Sequence, residues 1–67
     1  MTTRGVVVAF DDHVGLGTIQ ANGESFAFHC AEIRDGTRTI QVGTEVEFEP
    51  RTKFGRPEAF AVTAIRR

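Results

Sequence analysis

The feature that most constrains this chain is its short length combined with too few cysteine and histidine residues for a disulfide or a structural zinc site. It has 67 residues and a single cysteine, so no disulfide can form within it. A structural zinc site usually needs four Cys or His ligands, and the chain offers only Cys30, His13 and His29. We therefore expect one small domain over residues 1–67, without metal or cofactor, that is held by side-chain packing alone.

Charge and hydropathy exclude several classes of protein. The formal net charge is −1 and the pI is near 6.0, whereas strongly electrostatic nucleic-acid binders usually have a pI above about 9. Residues 1–33 carry a net charge of −3 and residues 34–67 a net charge of +2, so an anion-binding surface is expected to use the second half. Scattered, solvated charge is the alternative interpretation.

Membrane and secretory classes are not indicated. The longest apolar run, residues 6–10, is far shorter than the ~20 residues of a membrane span, and the N-terminus has no apolar core of a signal peptide. We expect a cytoplasmic protein with no membrane partner.

Short β-type runs separated by Gly and Asp residues dominate the chain, and helical periodicity is almost absent. Asn22-Gly23 predicts a tight hairpin, because both residues tolerate the positive φ angles of a type I′ turn. Residues 31–34 predict one helical turn. Pro50 is expected to end a strand, and residues 51–57 to form a basic loop. The predicted strands cover residues 5–10, 15–19, 25–29, 44–49 and 58–65.

Alternation within the strands predicts which side chains face the interior. The third strand places Phe26 and Phe28 inside, and Ala27 and His29 outside. The same reasoning assigns to the interior the apolar positions of the last two strands, Val46, Phe48, Phe60, Val62 and Ala64. Five strands without a real helix predict an all-β fold, and closure into a small barrel would remove exposed sheet edges.

Several motifs at matching spacings resemble those of bacterial cold-shock proteins, over roughly residues 5–65. They are Gly15-Leu-Gly-Thr-Ile19, Phe26-Ala-Phe-His29, Gly43 followed by Val46-Glu-Phe-Glu49, and Pro57-Glu-Ala59 followed by Val62. The resemblance implies a small five-stranded antiparallel OB-fold barrel, the cold-shock domain. It also implies binding of single-stranded RNA or DNA, with bases stacked on aromatic side chains and Lys or Arg along the phosphates.

Most of the stacking aromatics of that family are replaced in this chain. The family's aromatic positions correspond to Ala9, Leu16, Thr18, Ala27, Cys30 and Thr37, while Phe10 and His29 match. Stacking of one base on an aromatic ring is worth about 1–3 kcal/mol. We therefore expect this divergent member to hold single-stranded RNA or DNA weakly.

The resemblance and the charge distribution leave a reduced set of candidate nucleic-acid-binding residues: Phe10, Leu16, His29, Arg38, Lys53, Phe54 and Arg56. His29 can stack on a base and, when protonated, attract phosphate, or it is an ordinary exposed histidine. Arg38 matches a basic position of the family, and Lys53 and Arg56 are expected to contact phosphates. Phe54 either stacks on bases or anchors its loop by packing on the end of the barrel.

Catalysis is not indicated. His29 and Cys30 are adjacent on a predicted strand, so their side chains should point to opposite faces, unlike a nucleophile and its base. Cys30 is expected to be buried or half-buried and inert. We therefore predict a non-enzyme that is a monomer or a weak dimer.

Two other functions stay open at this point. The first is a protein-interaction or regulatory barrel that has lost nucleic-acid binding, favoured by the missing aromatics and the low net charge. The second is a barrel that recognises folded or double-stranded nucleic acid by its shape.

Overall fold

Five strands surround a core in the computed structural model, which describes residues 2–34, 36 and 38–65. The strands are β1 (Thr3–Asp11), β2 (Leu16–Ala21), β3 (Glu24–His29), β4 (Glu45–Lys53) and β5 (Arg56–Ala64), with a short 3-10 helix (Cys30–Glu32) after β3. They close into a barrel in the order β1-β2-β3-β5-β4, and β4 pairs back to β1. The predicted closed all-β barrel is confirmed.

The pairing of β3 with β5 departs from the predicted antiparallel pattern. All other neighbouring strands are antiparallel, but β3 and β5 run parallel through the pair Ala27 and Glu58. The reason lies in the connection between the 3-10 helix and β4. It brings β4 against β1, so β5, which folds back on β4 as a hairpin, reaches β3 in the parallel direction.

The hairpin of β4 and β5 is longer than the sequence indicated. The prediction that the strand ends at Pro50 and is followed by a loop over residues 51–57 is wrong, because both strands continue to a two-residue turn at Phe54-Gly55. Among the described residues, β4 pairs with β1 as far as Phe48. Beyond Phe48 no described residue pairs with β4 on that side, and a proline is tolerated on such an edge.

Phenylalanine rings fill much of the barrel interior. Phe26 and Phe28 are buried, as alternation predicts, and the ring of Phe26 lies 5.0 Å from that of Phe48, centroid to centroid. The ring of Phe28 stacks on that of the half-buried Phe10 at 6.0 Å. The remaining buried core residues are aliphatic: Val7, Ile19, Ala21, Ile33, Val46, Ala59 and Val62.

A bulge in β5 overturns the prediction that Phe60 faces the core with Val62. Pairing shifts from Glu49–Phe60 to Glu47–Thr63, which leaves one extra residue on β5, and Ala61 has a φ of 53°. Ala59 and Val62 are therefore the buried residues, and Phe60 lies on the outer side. An unbroken period of two cannot predict this change of face.

The side chain of Glu32, in the 3-10 helix, stabilises this bulge. The backbone N–H of Ala61 donates to the Glu32 carboxylate at 3.1 Å, which satisfies a donor that the disrupted ladder leaves unpaired.

A glycine makes the aromatic stack of the core possible. Phe10, Gly17 and Phe28 are paired side by side across β1, β2 and β3. A Cβ atom on Gly17 would lie 2.4 Å from Cζ of Phe28 and 2.9 Å from Cδ1 of Phe10. Both rings therefore occupy the space that any larger residue at position 17 would need.

We expect Gly17→Ala to lower the free energy of unfolding by about 1–3 kcal/mol, because an added methyl group forces both rings from their positions. Urea denaturation followed by circular dichroism measures the change. Gln20→Ala, at an exposed position of the same strand, is the matched control and should stay within about 0.5 kcal/mol of wild type. Equal stability of the two variants would contradict the packing described for Gly17.

Phe28→Ala or Phe26→Ala should cost about 3–5 kcal/mol, since each leaves a ring-sized cavity in a small core. That is comparable to the whole stability expected of such a chain, so much of either variant should be unfolded at 25 °C. Far-UV circular dichroism and a thermal melt measure this, with the exposed Val14→Ala as control. A melt of either variant that resembles wild type would show that the inward assignment is wrong.

Candidate nucleic-acid interface

Cross-strand pairing assembles one outer surface over β1, β2, β3 and the start of β5. Ala9 pairs with Thr18, Thr18 with Ala27, and Ala27 with Glu58. A second row beside it joins Asp11, Leu16 and His29. These seven residues are called the sheet face below.

A bulge in β1 sets which residues this strand contributes. Pairing moves from Val7–Ile19 to Ala9–Thr18, so Val8 is an extra residue in β1. The insertion lets Val7 remain in the core while Ala9 faces outward two residues later.

The sheet face is indented over β1, β2 and β3. A shallow groove of about 400 Å³ lies over β1 and β2, with Phe10, Leu16 and Ala27 among its lining residues. A cleft of about 130 Å³ shares Leu16 and Ala27 with it and extends to His29 and Glu58. The small side chain of Ala27 lines both, and the groove and the cleft are together called the depression below.

Phe10 and Leu16 contribute unequally to this depression. Half of the Leu16 side chain is exposed, so it is an accessible apolar contact. Phe10 is half-buried, because its ring stacks on Phe28 and packs against the core. Of the two predicted contacts, only Leu16 lies open on the surface.

His29 is exposed at the end of β3, and its ring is held in place. Its Nδ1 accepts the backbone N–H of Ala31 at 3.1 Å, so the histidine caps the 3-10 helix. In the neutral ring this hydrogen bond leaves the proton on Nε2. The side chain therefore combines an oriented ring face with an N–H donor.

The expectation that His29 and Cys30 point to opposite faces is wrong. Sγ of Cys30 lies 3.9 Å from Nδ1 of His29, because Cys30 begins the 3-10 helix and no longer follows strand alternation. That nitrogen already accepts the N–H of Ala31. Cys30 is half-buried against the core, as predicted.

Two carboxylates reduce the attraction of the sheet face for phosphate. Asp11 lines the groove, where its Oδ1 accepts the backbone N–H groups of His13 at 3.0 Å and Val14 at 3.3 Å. Glu58 lines the cleft next to His29. Cations that contact phosphate must therefore come from the surroundings of the sheet face.

The predicted basic residues lie beyond the sheet face. Lys53 and Arg56 are exposed and pair with each other at the end of the β4–β5 hairpin. Since β5 runs parallel to β3 from the pair Ala27 and Glu58, Arg56 is level with Ser25, about 13 Å along β3 from His29. Arg38 is exposed in the connection before β4, and Thr37 lies outside the described residues.

Phe54 is 93% exposed, which excludes the interpretation that it anchors a loop by packing on the barrel. Nζ of Lys53 lies 6.0 Å from its ring centroid.

The sequence analysis did not identify a cation–π contact between Arg51 and Phe60 on the β4–β5 hairpin. The guanidinium of Arg51 lies 4.8 Å from the ring centroid of Phe60 and 2.9 Å from the Glu49 carboxylate. No local signal could have found this pair, since it depends on the bulge that turns Phe60 outward.

Within the described part of the chain, no group of three His, Cys, Asp or Glu side chains is arranged to hold a metal ion. Among the same residues there is no helix of the length and apolarity that crossing a membrane requires.

Comparisons with known proteins agree with this architecture. The family model described as the "cold-shock" DNA-binding domain matches residues 3–65. A solved structure described as Drosophila Unr CSD456 matches with a TM-score of 0.83 and 22% identity over 98% of this chain, a likeness of fold. This chain spans only 27% of the length of that Unr chain. No curated protein matches the present chain.

The match of the family model covers all five strands. Cold-shock domains are nucleic-acid-binding modules rather than enzymes, and their OB-fold barrel is the one described above. The chain belongs to the cold-shock domain family, whose members bind single-stranded nucleic acids.

Proposed function

We propose that this domain binds single-stranded RNA or DNA weakly, through the sheet face, as a non-catalytic module. The observation that carries the proposal is the cross-strand pair of Leu16 and His29, an exposed apolar side chain beside an oriented, exposed ring. Such a pair can contact one base, with the Nε2–H group free to donate to a phosphate or base oxygen.

Weak binding follows from the side chains around this pair. Ala9, Thr18 and Ala27 are too small to stack on bases, and each lost platform removes about 1–3 kcal/mol, or about fivefold to a hundredfold in affinity. The carboxylates of Asp11 and Glu58 oppose the approach of phosphates.

Phosphate contacts are assigned in this proposal to Arg38, Lys53 and Arg56. Each neutralised phosphate of a single strand contributes a slope of about −0.7 to the dependence of log affinity on log salt. Three contacts would give a slope near −2, so binding is best observed at low salt.

We expect a pyrimidine-rich heptamer at low salt to shift the amide signals of Leu16 and His29 in an NMR titration of ¹⁵N-labelled protein. The shifts should fade as salt is added, because the phosphate contacts are screened. Absence of any shift at millimolar heptamer would rule out the proposed function.

Restoring aromatic rings to the sheet face should strengthen binding. Leu16→Phe or Ala27→Phe is expected to raise heptamer affinity by about fivefold to a hundredfold, since one base gains a stacking partner. Both positions are exposed, so the fold should be preserved. Val42→Phe adds the same ring at an exposed position in the connection before β4 and should leave affinity unchanged. Equal gains from all three variants would show non-specific association instead.

Exposed valines favour a second candidate, a protein-interaction module. Val6 and Val8 on β1 are 38% and 44% exposed, and Val42 is 61% exposed. The hydrogen bond from the Gly43 N–H to the Val7 carbonyl brings the segment that contains Val42 beside β1. A heptamer titration without any shift would favour this candidate over nucleic-acid binding.

A further inference from the structure

Two hairpins of the barrel turn through the same backbone geometry with very different side chains. Asn22 and Gly23, with φ angles of 53° and 76°, join β2 to β3. Phe54 and Gly55, with the same two angles, join β4 to β5. Asn is a favoured residue for a left-handed position, and a bulky residue such as phenylalanine is an outlier there. The turn itself therefore gives no reason for Phe54.

The rest of the fold gives no reason for it either. The Phe54 side chain is 93% exposed and lies outside the core cluster. Its neighbours in the turn, Lys53 and Arg56, are directly opposite each other, and like charges so placed destabilise an antiparallel pair. Neither cation forms an ion pair with another described residue. The positive φ angle of Phe54 and the pairing of Lys53 with Arg56 are both locally unfavourable. Their occurrence at one turn is typical of sites used for binding.

The chemistry of this turn fits a nucleotide. An exposed ring offers a stacking surface to any base, and two cations beside it attract the phosphates on either side. The next cation along β4 is less available, because Arg51 is held by Glu49 and Phe60.

We propose that the end of the β4–β5 hairpin, residues 53–56, is a second subsite for single-stranded nucleic acid. One base stacks on the ring of Phe54, and Lys53 and Arg56 hold the flanking phosphates. This subsite rests on the proposed function, which it extends from the sheet face to the opposite end of β3.

The separation of the two sites sets the length of ligand that can use both. His29 and the hairpin end are about 20 Å apart along β3 and β5, counted at about 3.3 Å per residue. At about 3.4 Å per nucleotide, a stacked heptamer spans about 24 Å and reaches both sites, whereas a stacked trinucleotide spans about 10 Å and does not. Linking two weak contacts on one strand raises the overall affinity above that of either contact.

The chain has no tryptophan, so Phe54→Trp would introduce a single fluorophore at the proposed subsite. We expect saturable quenching by the pyrimidine-rich heptamer at low salt, with the same midpoint as the NMR shifts on the sheet face. Val42→Trp, at an exposed site near the other end of β4, is the matched control and should show only collisional quenching without saturation. A trinucleotide should quench the Phe54→Trp variant far more weakly than the heptamer does.

Phe54→Asn tests the same idea without a fluorophore. It gives this hairpin the Asn-Gly turn that joins β2 to β3, so the melting temperature should rise by a few degrees. Heptamer affinity should fall by about fivefold to a hundredfold through the loss of one stacked base. Unchanged affinity in this variant would overturn the subsite.

The outcomes separate the two proposals. Shifts at Leu16 and His29 together with an unquenched indole would overturn the subsite and the phosphate contacts of Lys53 and Arg56, and would leave binding through the sheet face standing. Saturable quenching without shifts on the sheet face would uphold the subsite and remove the sheet face from the proposed function. Absence of both signals would overturn both proposals.

Discussion

The inward packing of phenylalanine rings is the interaction on which the rest of this structure depends. With no disulfide, the 67-residue chain is stabilised by its core, and each buried Phe contributes about 1.5–3 kcal/mol. In β3, burial of Phe26 and Phe28 leaves positions 27 and 29 on the outside. Gly17 completes the arrangement by leaving room for the stacked rings of Phe10 and Phe28. The residues that fill the core therefore also determine which residues form the sheet face.

Strand alternation predicted the fold well wherever the strands are regular. The inward positions of β3 and the first half of β4 follow a period of two, and the Asn22-Gly23 turn has the expected positive φ angles. Prediction failed where pairing with a distant strand decides the outcome. The bulges at Val8 and Ala61 depend on the register with β2 and β4, which no local pattern specifies. Pro50 is tolerated within a strand because, among the described residues, the pairing of β4 with β1 ends just before it.

For the candidate site, the sequence could propose residue types but not their arrangement. The family resemblance identified Leu16 and His29, and the structure pairs them across β2 and β3. It could not indicate that Lys53 and Arg56 lie along β3 from His29, since that follows from the parallel joint with β5. Nor could it decide whether Phe54 packs or is exposed, because the length of the hairpin was misjudged at Pro50.

The parallel joint between β3 and β5 has a consequence for how the barrel moves. In the described chain these two strands share the ladder pair Ala27–Glu58, and the bridge between Ile33 and Val62 continues the contact past the 3-10 helix. A seam with so few backbone hydrogen bonds opens locally at lower free energy than the long β4–β5 ladder, and its amides exchange with solvent sooner. In the proposed binding mode, a nucleic acid strand from His29 to the hairpin end would cross the β3–β5 pairing, and bound ligand would then slow the local opening of the barrel.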